Sequence, residues 1–220
     1  MTHEHSLIFI GGDAPNKNVV AHLPADVFVI AADSGYEHAL AFGFTPHVLV
    51  GDLDSISPHH LADARHRNID IIEHPIHKDH TDTEIALHLA QTRTSASITI
   101  VSGGGDRFDH VLAMMHSVAH QATETPTRAY INTARIDYFA GPIAASVHTN
   151  TGATISLIPI GGDVHLSSLG LQWNLQNETL NAFASRGVSN TAIENDIHLE
   201  ISLGTIAVIQ PHYFTNGVSQ

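Results

Sequence analysis

Through Gln121 the chain alternates short β-branched runs with stretches of helical periodicity, and past that residue the helical periodicity largely disappears. This change restricts the fold more than any other feature. Strands that alternate with helices pair in parallel, whereas strands joined by turns pair antiparallel. The runs at 7–10, 27–31, 47–50, 69–73 and 98–101 read as strands, and the segments 34–42, 58–67, 82–92 and 108–121 between and after them read as helices. The helix from Asp82 has a defined start, because Thr81 followed by Glu84 is the pattern of a capping box, with Ile85, Leu87 and Leu89 as its apolar positions. In the last helix Phe108, Val111, Leu112, Met115, Val118 and Ala119 are expected on one side. The first part is therefore expected to be an α/β domain with a mostly parallel, Rossmann-like sheet.

Beyond Gln121 comes a polar stretch containing Pro126, then short strand-like runs at 154–158, 163–166, 197–202 and 205–209, separated by Gly, Asn and Ser turns. That text predicts an all-β sandwich. The expected division is residues 1–133 for the α/β domain and 134–220 for the β domain.

Charge narrows the function. Nine Lys plus Arg stand against 22 acids, a formal charge of −13. Such a field repels a polyphosphate backbone, so nucleic acid is not an expected partner. A small anionic substrate meets the same repulsion and is expected to arrive with a metal ion. No apolar run approaches the ~20 residues of a membrane helix, and the first residues lack a secretory pattern, so a cytoplasmic protein is expected. The absence of cysteine removes disulfide and thiolate chemistry. The 19 histidines lack an HExxH pattern and are read as solvated or hydrogen-bonded rather than as zinc ligands.

In open parallel sheets ligands bind beyond the carboxyl ends of the strands. At those places stand Asp33-Ser34-Gly35, Gly51-Asp52-Leu53-Asp54-Ser55, Lys78-Asp79-His80-Thr81-Asp82, and the run from Ser102 to His110 with glycines at 103–105. Asp52 and Asp54, two apart at the end of an extended run, are expected to point the same way, with Leu53 opposite. With Asp82 they would crowd three negative charges. Two unit charges ~4 Å apart cost on the order of 4 kcal/mol at an effective dielectric of ~20, so the cluster calls for a cation. Magnesium fits, since it takes oxygen ligands from one or two carboxylates plus substrate phosphates. The glycines can present backbone N–H groups to phosphate, without a Walker-type GxxxxGK[ST] pattern, and Lys78 and Arg107 are the cations placed to offset phosphate charge. In the second part the sole tryptophan, Trp173, and the polar segment from Ser185 to Asn190 are the other candidates.

These elements together resemble the thiamine pyrophosphokinase family: Asp33 with Gly35, GDLDS at 51–55, KDHTDTE at 78–84, RFDH at 107–110, SLIPI at 156–160, GLQW at 170–173 and Ser189-Asn190, in the family's order over nearly the whole chain. The resemblance implies transfer of a diphosphoryl group from ATP to thiamine, giving thiamine diphosphate and AMP, by a homodimer with active sites between subunits. It implies Asp52, Asp54 and Asp82 as magnesium ligands and, with Arg107, as the catalytic set. It implies nucleotide contacts from Asp33, Gly35, Ser55, Lys78, Thr81, Gly104, Gly105, Asp109 and His110, and thiamine contacts from Trp173, Ser189 and Asn190. Two positions depart from the family pattern: Leu53, where Phe is common, and Asp106, which intervenes before Arg107. A diphosphotransferase acting on a pterin alcohol and a non-catalytic nucleotide or thiamine sensor are the alternatives. Neither has a reason to keep all of these elements.

Overall fold

Residues 4–75, 79–93, 95–105 and 107–214 are described by a computed structural model, which divides into two units, residues 1–117 with 129–132 and residues 118–128 with 133–220. In the first unit the strands are β1 (His5–Ile10), β2 (Val27–Ala32), β3 (Val48–Gly51), β4 (Asp70–Glu73) and β5 (Ser97–Ser102). They lie in the order β5-β1-β2-β3-β4, with every contact in that series parallel, and β6 (Thr127–Ile131) flanks β5. The β-branched runs at 7–10 and 27–31 are continuous rather than alternating because the sheet is covered on both faces: Leu7, Ile8, Phe9, Ile30 and Ala31 are wholly buried.

Among the described residues, a short 3-10 helix (Lys17–His22) and the α-helices α1 (Gly35–Ala41), α2 (Pro58–His66), α3 (Asp82–Thr92) and α4 (Phe108–Gln121) connect or follow these strands. Helix α2 starts where Ser57 accepts from the His60 N–H and Pro58 supplies a preset φ. Helix α3 carries the expected capping box, with Glu84 N–H donating to Thr81 Oγ1 at 3.2 Å and Thr81 N–H donating to Glu84 Oε2 at 3.0 Å. Its buried residues are Ala86, Leu87 and Ala90, with Ile85 and Leu89 half-buried. The apolar side of α4 also departs from expectation: Met114, Val118 and Ala119 are buried, while Phe108 and Leu112 are 73% and 46% exposed. The buried side thus starts at Met114, nearly two turns after the apolar sequence starts at Phe108.

In the second unit β7 (Ala134–Ala140), β8 (Ile143–His148), β9 (Thr154–Leu169), β10 (Glu178–Leu180), β11 (Asn190–Thr191) and β12 (Asp196–Gln210) pair antiparallel. The runs that the sequence divides at Gly161-Gly162 and at Leu203-Gly204 are single strands of 16 and 15 residues. Glycine here bends a strand instead of ending it. Gly204 sits at φ +86, where a Cβ would lie 2.4 Å from the Asp163 carbonyl, and the β9–β12 register shifts on either side of Leu203. The bent strands close on a core of Val147, Ile155, Leu157, Val164, Leu166, Leu199, Ile206 and Val208. Among the described residues no helix is long and apolar enough to cross a membrane.

Candidate active site

The chain runs from β1 outward through β2, β3 and β4 and then returns to place β5 on the other side of β1. That reversal opens a crevice at the carboxyl ends of β1 and β5. A cavity of about 550 Å³ lies there, walled by the residues that follow β1, β2, β3 and β5 and by the start of α3.

On one wall Asp33, Asp52 and Asp82 each bring a carboxylate oxygen within 4.8 Å of the others. Local backbone geometry makes this possible. Asp33 leaves β2 at φ 48, and its Oδ1 accepts the Leu53 N–H at 3.1 Å. Gly51, at φ +146, lies so close that a Cβ would fall 1.9 Å from Asp33 Oδ1, so only glycine leaves room for that carboxyl group. Burial, then the charge of Asp82 and a hydrogen bond with it, push Asp33 up to about 7. Three acids do crowd, but the trio is Asp33, Asp52 and Asp82 and not the expected Asp52, Asp54 and Asp82.

Asp54 lines the same cavity, is exposed, and donates its N–H to Asp52 Oδ1 at 3.2 Å. The expected extended run through Asp52 and Asp54 does not form. Leu53 turns to φ 64, which packs its side chain against the Tyr36, Leu49 and Ile56 core and breaks the two-residue alternation.

The opposite wall is a backbone cradle. Gly12 at φ +100 and Gly103 press against their neighbours so closely that a Cβ would lie 2.3 Å from the Gly104 carbonyl and 2.1 Å from the Asp13 carbonyl respectively. Asp13 N–H donates to Gly104 O at 3.4 Å and Gly104 N–H to Ser102 Oγ at 3.1 Å. Beyond it Arg107 holds Asp109 with a two-pronged contact, Nε–Oδ1 3.0 Å and Nη2–Oδ2 2.8 Å, and also reaches His110 Nε2 at 2.8 Å. The guanidinium holds the Asp109 carboxyl down at about 2.

Ser55, Thr81, Gly104, Gly105, Arg107 and His110 line the cavity as well. Gly35 and Asp109 are not among its lining residues. Gly35 is buried where α1 meets β1, and a Cβ there would lie 2.1 Å from Phe9 O. Lys78 and Asp106 lie outside the described residues. Sequence reasoning missed Gly11, Gly12 and Asp13, which line the cavity after β1. The signal was there: a Gly-Gly-Asp directly after a strand, like the Gly51-Asp52 that was recognised.

The second unit has its own cavity, of about 350 Å³, lined by Leu157, Trp173, Asn174, Leu175, Arg186 and Asn190 among others. Trp173 is 60% exposed there. Ser189 is not part of its lining; the residue sits at φ 57 and its N–H donates to Ser156 Oγ at 3.1 Å.

Clustered acids facing a glycine backbone cradle have the chemistry to take a phosphate-bearing ligand together with a cation. Residues 21–131 match the family described as "Thiamin pyrophosphokinase, catalytic domain", and residues 143–206 match "Thiamin pyrophosphokinase, vitamin B1 binding domain". Among solved structures, the fold is similar to thiamine pyrophosphokinase from Bacillus subtilis, with a TM-score of 0.82 and 22% identity over 94% of this chain and 98% of that one. It is also similar to the enzyme from Geobacillus thermodenitrificans (TM-score 0.78, 23% identity, 94% and 96% covered). The Candida albicans protein gives 0.76 at 14% identity, with 96% and 90% covered. The chain belongs to the thiamin pyrophosphokinase family, and its activity is that of a thiamine diphosphokinase, transfer of a diphosphoryl group to thiamine.

Proposed function

We propose that the donor is ATP, that its phosphates occupy the cavity of the first unit with magnesium, and that thiamine lies against Trp173. The observation that carries this reading is the convergence of Asp33, Asp52 and Asp82 at the switch point of the parallel strands. The parallel pairings support a Rossmann-like nucleotide domain of residues 1–133, and the bent antiparallel strands support a sandwich of residues 134–220.

The donor set suits magnesium: three carboxylates with oxygens within 4.8 Å, one of them pushed toward its neutral form when the three are alone. Asp33, Asp52 and Asp82 would hold the ion, with Asp54 beside them, and it would supply neutralisation of diphosphoryl charge. The chain's own residues do the rest. Gly104 and Gly105 let the phosphates approach the backbone, with the Gly105 N–H as donor because the Gly104 N–H is held by Ser102 Oγ, and Lys78, Thr81, Ser55 and His110 complete the contacts around the donor. The Arg107 fork, already fixed by Asp109, offers a planar cation to the transferring group. The hydroxyethyl oxygen of thiamine attacks the β-phosphorus in line, the bond to the α-phosphate bridging oxygen breaks, and AMP leaves. The alcohol proton passes to a carboxylate of the acid wall, Asp54 or Asp82. The aromatic face of Trp173 suits a flat cationic ring. The protein acts in the cytoplasm as a homodimer with active sites between subunits. The exposed Phe108, Trp173 and Phe183 support an apolar contact with a second copy.

The test is incubation with ATP, magnesium and thiamine. Equal amounts of AMP and thiamine diphosphate are expected. Formation of ADP, or turnover with a pterin alcohol and not with thiamine, would overturn the reading.

A further inference from the structure

Asn190 was expected to touch thiamine, but its side chain is already committed elsewhere. The residue is only 6% exposed. Its Oδ1 accepts the Trp173 N–H at 3.2 Å and the Thr191 N–H at 2.8 Å, and its Nδ2 donates to the Trp173 carbonyl at 2.8 Å. The amide orientation follows from these partners, because the flipped form would set N–H against N–H at two places. Both lone pairs of Oδ1 are thereby used. Both backbone polar groups of Trp173 end on this one side chain.

We propose that Asn190 is a positioning residue that acts on thiamine through Trp173, by clamping the backbone beneath the indole. Trp173 needs such a clamp. Its ring is 60% exposed, so side-chain packing alone does not fix where the aromatic face points. The neighbouring backbone is held separately: Leu171 N–H donates to Asn174 Oδ1 at 3.1 Å, Gln172 N–H to Thr191 O at 2.8 Å and Leu175 N–H to Ser168 Oγ at 2.9 Å. Asn190 closes the gap in this series at the residue that matters. The turn that delivers it has left-handed Gly187 and Ser189, at φ +100 and 57, just before β11. Asn190 lines the cavity with its oxygen and one amide proton spent on backbone groups, so polar recognition of a ligand there falls chiefly to Ser185, Arg186 and the Asn174 amide nitrogen.

The inference rests on the reading that the Trp173 cavity receives thiamine, and one spectroscopic property separates the two. Trp173 is the only tryptophan, so tryptophan emission reports on this residue alone. In ligand-free protein, Asn190→Ala is expected to lower the Trp173 emission anisotropy and raise its accessibility to a neutral quencher. The KM for thiamine is expected to rise about tenfold, equivalent to ~1.4 kcal/mol, with the nucleotide KM unchanged. Asn190→Asp keeps both acceptor contacts but sets a carboxylate oxygen against the Trp173 carbonyl in place of the donated bond. It too should loosen Trp173, and it carries the test if the alanine protein does not fold. Wild-type anisotropy and quenching in either folded variant, with thiamine affinity lost, would make Asn190 a direct contact and overturn the proposal. Wild-type emission that ignores added thiamine would instead remove the cavity assignment, and the ligand-free comparison would still decide the clamp.

Discussion

The carboxyl groups of Asp33 and Asp82 share a hydrogen bond, and Asp33 is pushed up to about 7, by its burial first and by the charge of Asp82 next. Without a cation, folding favours the protonated acid. That contribution is intact below the ordinary value of 3.8 and is lost as the pH rises through about 7. Thermal unfolding of metal-free protein from about pH 5 to pH 8 should therefore show wild type losing more stability than Asp33→Asn. Parallel curves for the two proteins would contradict the assignment. Magnesium binding should release protons near neutral pH, since the bound acids must be ionised.

Gly51 leaves the space that the Asp33 carboxyl group fills. In Gly51→Ala a Cβ would lie 1.9 Å from Asp33 Oδ1, at a φ of +146 that L residues rarely adopt. The variant is expected to fold with reduced stability and to lose about 100-fold or more in turnover through displacement of the acid. Steady-state rates beside circular dichroism check it, and wild-type turnover in a folded Gly51→Ala would count against the geometry.

Arg107 offers a planar fork that lysine cannot reproduce. Arg107→Lys should lower kcat by about 100-fold while leaving the melting temperature near wild type, because the side chain is 66% exposed. Asp109→Asn should cost far less, since Asp109 only holds the guanidinium from outside the cavity. Comparing kcat for the two variants checks the order.

Stability of the second unit is most sensitive at Asp137. This acid, 5% exposed at its side chain, meets Arg128 Nε at 2.5 Å and Arg135 at both oxygens, with Nη2 donating to Oδ1 at 3.3 Å and Nε lying 2.8 Å from Oδ2 without hydrogen-bond alignment. Asp137→Ala strands the buried Arg135 charge and is expected to cost about 3–5 kcal/mol in urea unfolding. A loss below ~1 kcal/mol would indicate a merely superficial pair.

The fold of the first unit was legible because two signals agreed there: continuous β-branched runs for doubly covered strands, and the Thr81–Glu84 capping box for a helix start. The second unit was legible in class but not in strand length. Glycine at 161 and 204 reads locally as a break, and only the long-range pairing of β9 with β12 carries the strands through. At the site, Asp52 stood out by its spacing from Asp54, and Asp82 by its place after a strand at a helix start. Asp33 was recognised without its place in the trio, because that place depends on left-handed turns at Asp33 and Leu53 that nothing in residue type announces. The role of Asn190 was hidden for a related reason. Its partners are the backbone groups of a residue 17 positions away, which no side-chain motif records.

The proposed diphosphoryl transfer requires that Asp33, Asp52 and Asp82 jointly hold a divalent ion. It is tested most directly by titrating manganese, followed by its paramagnetic signal, into wild type and into Asp33→Asn, Asp52→Asn and Asp82→Asn in the presence of ATP. Each substitution is predicted to weaken manganese binding at least tenfold, about 1.4 kcal/mol, with AMP formation falling in parallel. Manganese affinity equal to wild type in all three folded variants would contradict a shared role of these acids in holding the ion.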